Sequence, residues 1–588
     1  MNRILIALVA AVLTAGAGAG AAAADPSPPG VPSIQAAGQA AGSVQSASSS
    51  ATSTQVAPQN TNVSVRVLSP GSNGPVSQTN ASNADALAAN ANATDQTTGQ
   101  LGSAGVQQGS QVAGNAQGAS SSASSTQVKP ENTNVDVRVL SPGSNGPVTQ
   151  SNTSTAGSVA ANLNTTDQAV AQGGAGSTGQ SAEQAAISQQ AAVSDAQSKQ
   201  IQPENTNVSV RVLSKGDNAA VTQRNDSTAK SVAANLNSTD QDITQGGGHG
   251  GTVHQSAGQL AGNAQGAWSS ASSTQVKPEN TNVDVRVLSP GSNGPVTQSN
   301  TSTAGSLAVN ANDINQEITQ GPVRPDVYLP SAAKSDDGWH DKDGKRDGVV
   351  VQAAGQIAVN KQIAAARAES VQIKPSNTNA SLGDSKGHDR KDAAGATVDQ
   401  SNDSTALAGA INVNGLQQTI GQNAADRKKD AVLEPKRHDL PSAAPIEHAV
   451  PASGGVRQSN TSAAGSLAVN LNTTDQQLGQ QQAAPRSGVG VQAAGQLAAS
   501  EQTAVSKATS IQYKPENRNG FAPIPHEGRK LPCTAHPCMD GGYSKPPPCR
   551  YDGCKSDARA WPPKRSWCEC DPCVRDERDW AKGMRWCR

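Results

Sequence analysis

Two modules alternate along this chain, and within each one every second residue is held to a short list while its neighbours vary freely. Module A reads Gln-x-Ala-x-Gln-x-Ala-x-(Asn/Ser)-x-Gln-x-Ala-x-(Ser/Ala)-x-Ala-x-Ser-x-Gln and starts at Gln35, Gln107, Gln180, Gln255, Gln352 and Gln492. Module B reads Gln-x-Asn-x-Ser-x-Ala-x-(Ser/Ala)-x-Ala-x-Asn-x-Asn-x-Thr-x-Gln and starts at Gln78, Gln150, Gln223, Gln298, Gln400 and Gln458. The early copies recur every 72 to 75 residues. A period of two is that of a β-strand, whose successive side chains point to opposite faces, whereas a helix would scatter the restricted positions around its circumference.

Charge tests this reading independently. In module A, Glu183, Asp195, Lys199, Lys361, Arg367, Glu369, Glu501 and Lys507 all fall on the variable face. In module B, Asp85, Asp95, Asp167, Arg224, Asp226, Lys230, Asp240, Asp313, Asp403 and Asp475 do the same. The restricted face carries no charge and is expected to be buried. Stacked copies then place Gln over Gln and Asn over Asn in amide ladders, with Ala and Ser letting facing sheets approach closely. Repetition supplies the partners that buried amides need. An extended module would be ~70 Å long, far beyond an ordinary strand of up to about ten residues. Each module is therefore expected to bend, with Gly114-Asn115, Gly157-Ser158, Gly262-Asn263 and Gly305-Ser306 near mid-module as the bending points.

Between A and B lies a connector such as Lys129-Pro130-Glu131-Asn132-Thr133-Asn134-Val135-Asp136-Val137-Arg138-Val139-Leu140, followed by Ser141-Pro142-Gly143. Its alternation reads as a short strand and then a turn. Stretches near 321–350, 382–397 and 424–455 are rich in charge, Gly, Pro or His and read as disordered surface insertions or linkers.

A conventional core is excluded by composition: 588 residues hold six Trp, four Tyr and one Phe, and much of the apolar fraction is Ala. Without ladders, disorder would be the default. The expected fold is thus an all-β repeat, a β-solenoid or cross-β stack of strand-turn-strand modules. The Gln, Asn, Ser and Ala at alternating positions, as in Gln150-Ser151-Asn152, resemble the repeats of the bacterial curlin type of amyloid subunit. That resemblance covers the modules only and implies extracellular fibres or biofilm matrix.

At the N-terminus, Arg3, the apolar run Ile4 to Leu13 and Ala22-Ala23-Ala24 before Asp25 have the layout of a secretory signal peptide over residues 1–24. The run is too short to span a bilayer, and no later segment is long and apolar enough. Residues 25–320 then hold four A/B pairs, 321–350 a charged linker and 351–520 degenerate pairs with charged insertions. Residues 526–588 form a basic module containing all eight cysteines: Cys533, Cys538, Cys549, Cys554, Cys568, Cys570, Cys573 and Cys587. An even count in a short exported segment favours disulfides, of unknown pairing, over zinc held by Cys568, Cys570 and Cys573. Trp561, Trp567, Trp580 and Trp586 beside cations either stack on sugar rings or form the small core.

Other motifs read as by-products of the pattern. The Asn-x-Ser/Thr sequons at Asn80, Asn152, Asn164, Asn237, Asn300 and Asn472 arise automatically from the period, and a glycan there would block stacking. An ice-binding array is disfavoured because the regular positions are Gln, Asn and Ala rather than Thr. His249, His254, His340, His388, His526 and His536 read as isolated loop residues rather than ligands. No catalytic arrangement and no cofactor site is expected, and a net charge of −1 gives no case for nucleic acid. The expected function is a secreted structural protein of the cell surface or extracellular matrix that self-associates into fibres, with cell-wall or extracellular polysaccharide as a partner of the C-terminal module. The alternative is a disordered repetitive spacer presenting that module for binding.

Overall fold

The computed structural model describes residues 34–101, 105–173, 179–247, 253–322, 348–383, 396–422, 455–480 and 488–523. The expected signal segment 1–24 and the eight cysteines lie outside them, as do most of the charged stretches.

Each coil is built from a module A strand, a connector strand and a module B strand. Coil one is β1 (Ile34–Val56), β2 (Gln59–Val67) and β3 (Val76–Leu101), and coil two is β4 (Val106–Val128), β5 (Glu131–Val139) and β6 (Val148–Gly173). Coils three and four follow as β7 (Gly179–Ile201), β8 (Glu204–Val212), β9 (Val221–Gly247), β10 (Val253–Val276), β11 (Glu279–Val287) and β12 (Val296–Pro322). Coil five is β13 (Gly348–Ile373), β14 (Ser376–Gly383) and β15 (Val398–Gln422); coil six is β16 (Val456–Gln480), β17 (Gly488–Tyr513) and β18 (Glu516–Pro523). Like stacks on like, giving three six-stranded sheets in the orders β1-β4-β7-β10-β13-β17, β2-β5-β8-β11-β14-β18 and β3-β6-β9-β12-β15-β16. Every pairing is parallel and in register, so Gln35 lies beside Gln107 and Gln107 beside Gln180. This is a β-solenoid.

The module A and module B sheets face each other. Gln39, Gln45 and Gln55 of β1 donate to the carbonyls of Thr97, Ala91 and Ala81 of β3, an antiparallel run of facing positions. Between them the core is thin. One cluster is alanine throughout, including Ala119, Ala156, Ala192, Ala229, Ala267 and Ala304. Where module B carries a larger residue, module A answers with a small one: Val170, Ile243, Ile318 and Ile420 pack on Ala182, Ala257 and Ala354. Such complementarity keeps the sheets close without leaving voids.

One expectation needs correcting. The modules do not bend at their central glycines, for β4, β6, β10 and β12 run unbroken through Gly114, Gly157, Gly262 and Gly305, which take ordinary extended backbone. Ordinary strands are short because a globular core is small; here each strand meets a facing strand of matching length, so its whole inward face is covered. The chain turns instead at the ends of the strands. Ala57, Lys129, Gln202, Lys277, Lys374 and Lys514 end the module A strands in the left-handed region, with φ of 49–52°. The N–H groups of the first five still pair between coils, as when Lys129 N donates to Ile201 O at 2.8 Å, and this holds a conformation that costs a non-glycine residue about 1–2 kcal/mol.

The order of strands changes in the last coil. Coil six is assembled from its module B strand first: β16 pairs with β15, and only then do β17 and β18 lie on β13 and β14. The positions Gln458 and Gln492 already contain this inversion, which the pairing of A with B conceals.

Candidate assembly interface

The restricted face is buried as charge patterning requires, and its amides form ladders of fixed direction. In the module A sheet, Gln107 Nε2 donates to Gln35 Oε1 at 3.3 Å, and Gln180, Gln255, Gln352 and Gln492 each donate to the Gln of the coil before. Module B repeats this direction from Gln458 down to Gln78. Asparagine runs the other way. In the connector sheet Asn60 Nδ2 donates to Asn132 Oδ1 at 2.8 Å, and the chain of donors continues through Asn205, Asn280 and Asn377 to Asn517. In module B, Asn80 likewise starts a ladder that ends at Asn460.

In many rungs the second amide proton reaches across the core. Asn162 Nδ2, for instance, donates to both Asn235 Oδ1 and Ala191 O at 2.8 Å. Hydroxyls add a zigzag between the sheets: Ser125 Oγ lies 2.9 Å from Ser82 Oγ and 2.8 Å from Ser154 Oγ, and the series climbs through Ser198, Ser227, Ser273, Ser302, Ser370, Ser404 and Ser510 to Ser462. The sequon asparagines Asn80, Asn152, Asn164, Asn237 and Asn300 are buried in these ladders, which leaves no room for a glycan.

Fixed direction makes the two ends different and complementary. At coil one Gln35, Gln39, Gln45 and Gln55 accept from coil two, which turns their amide nitrogens towards the open end, while Asn60, Asn62 and Asn90 donate to coil two and turn their carbonyls that way. At coil six Gln492, Gln496, Gln502 and Gln512 donate inward and present Oε1, while Asn460 and Asn517 accept from below and carry N–H groups at the rim. Inward residues that are buried in β4 are only half-buried in β1 and β17, since nothing among the described residues covers them. Among the described residues both ends are thus rows of unpaired strand edge.

The connector turns its polar side inward. Asn132, Asn134, Asp136 and Arg138 point inward and are buried, and the valines point outward. Arg138 donates through Nε to Asn145 Oδ1, through Nη2 to Ser144 O and through Nη1 to Gly71 O of the coil before. Arg211 and Arg286 repeat the clamp on Gly143 and Gly216. Each arginine therefore ties its own turn to the preceding one. Gly143 needs no Cβ here: its φ is 135°, and a Cβ would lie 2.1 Å from Gly71 O. Burial and the neighbouring Arg286 and Arg138 pull the Arg211 guanidinium down to about 10. Burial likewise raises Asp136 and Asp284, outweighing the adjacent guanidinium in each case, and Asp136 Oδ2 has no hydrogen-bond partner. Sequence reasoning missed this column because alternation shows that two faces differ but not which is inside.

Among the described residues no group of three or more His, Cys, Asp or Glu is placed to hold a metal, and no helix is long and apolar enough to cross a membrane. Of the named histidines only His254 is described, on β10. Comparison with known proteins finds no matching family model, no matching curated protein and no matching solved structure.

Proposed function

We propose that the chain is an exported structural subunit that stacks end to end into fibres at the cell surface or in extracellular matrix. The supporting observation is the direction of the ladders: coil one of a second copy laid on coil six would set a Gln N–H against every Gln Oε1 and an Asn carbonyl against every Asn N–H. The half-coil stagger agrees, since Ser462 at the module B rim would meet Ser53 of the next copy as Ser82 meets Ser125. In the same reading the C-terminal module is a disulfide-linked anchoring head that binds polysaccharide.

The test uses the mature chain, residues 25–588. Fibres should diffract at ~4.8 Å along their axis and also at ~29 Å, six rungs per molecule. Gln45→Lys or Asn470→Lys places a charge at one end only; each variant should keep the monomer's β signal and fail to elongate. Wild-type chain that stays monomeric at high concentration, or variants that elongate at wild-type rate, would overturn the proposal.

A further inference from the structure

The outer face of the connector sheet is apolar where the rest of the solenoid surface is mixed. Val63, Val65 and Val67 of β2 are 60, 62 and 56 % exposed, and Leu68 beside them is 71 % exposed. Their in-register partners Val135, Val137 and Val139, then Val208, Val210 and Val212, then Val283, Val285 and Val287 continue three valine columns through four coils. In coil five the columns give way to Ala380 and Leu382. No charged side chain stands among the valines. A threonine column beginning at Thr61 borders them, and beyond it a column of Glu131, Glu204 and Glu279. An outward face that served only to close the coil would be as well served by the polar residues found on the outside of the modules.

We propose that this face joins fibres side by side, its occupant being the same valine face of a second copy, a step that rests on the end-to-end reading above. A parallel sheet in register presents identical ridges at the ~4.8 Å rung spacing, and the surface that matches such ridges is another copy of itself. A two-fold axis along the stack sets the Val63 column against the partner's Val67 column. It also carries the two glutamate columns to opposite margins, so like charges do not meet. Area decides when pairing occurs. Four rungs by the length of Val63 to Val67 is ~300 Å² on each side, well below the roughly 800 Å² per partner of a stable interface. Two single molecules do not hold together on that area. Three or more molecules in one fibre exceed it, so pairing follows elongation and the monomer stays soluble.

The experiment replaces Val65, Val137, Val210 and Val285 together by Thr in the full mature chain, which keeps the β-branch and the strand preference. A second variant, Thr61→Lys with Thr206→Lys, leaves the valines intact and adds repulsion at the margin. Mass per unit length of fibres is measured by dark-field electron microscopy. Wild-type fibres should carry at least twice the mass per length of the Val→Thr variant, with the ~4.8 Å spacing present in both, and the Lys variant should pair only at high salt. Wild-type fibres that are already single, or unchanged mass per length in both variants, would overturn the lateral proposal while leaving end-to-end stacking intact. Absence of any wild-type fibre would instead defeat the stacking itself, and the pairing with it.

Discussion

Replacing Asn162 by Lys tests the buried amide ladder at its centre. Asn162 is fully buried and takes part in three hydrogen bonds: it accepts from Asn90 at 2.9 Å and donates to Asn235 and to Ala191 O at 2.8 Å each. Lysine can replace none of the acceptance, so Asn90 keeps only Gly118 O, and the longer side chain cannot keep both donations. Each orphaned buried group costs about 1–3 kcal/mol. An ammonium between two alanine-lined sheets adds several kcal/mol more, because no carboxylate faces it. The total is on the order of 5 kcal/mol or above, which matches the whole stability of many domains. The neighbouring change Ala161→Lys points outward, beside Ala89 and Ala234 in register, and should stay within about 0.5 kcal/mol. Stability in a stack is carried by neighbour contacts, so the damage should concentrate in coils one to three. Hydrogen exchange read by mass spectrometry checks this: protection should collapse in β3, β6 and β9 for Asn162→Lys and persist for Ala161→Lys. Equal protection in the two variants would refute the buried-ladder account.

Changing Arg211 to Met removes the donors to Asn218, Gly143 O and Asp217 O but also a buried charge, so a net loss of ~2–4 kcal/mol is expected, read as faster exchange at the Leu213 and Gly216 amides with the module strands intact. Stability should also depend on acid. Burial, with Asp240 and Asp95 as further causes, raises Asp167 above the ordinary value of 3.8, and burial likewise raises Asp226, Asp240, Asp284 and Asp313. The folded chain then holds protons more tightly than the unfolded one, and stability falls as pH rises through the raised values; Asp217, lowered by its bonds to Ser292, offsets this in part. A urea midpoint that is higher at pH 7 than at pH 4, close to the ordinary aspartate value, would contradict that sign. In the C-terminal module, mass spectrometry of exported protein should find Cys533 through Cys587 without free thiols and without bound zinc, whereas eight free thiols and one zinc would reverse the assignment.

The sequence by itself determined the strand period, the charge-free inner face of the two modules and the stacking of like residues. These are legible because a two-residue period sorts side chains into two faces, and because one register alone superimposes every repeat. The tertiary structure decided what local pattern leaves open. Whether a module bends depends on the strand that faces it, and Gly114 and Gly157 lie straight because module B covers module A along its length. Which face of the connector is buried depends on partners distant in sequence: Arg138 goes inside because Asn145, Ser144 and Gly71 are there to receive it, and Val137 is left outside. The opposite directions of the Gln and Asn ladders, and with them the complementarity of the two ends, exist only once the coils are stacked. An amide has the same composition whichever way it points, so its direction is fixed by its neighbours in the stack.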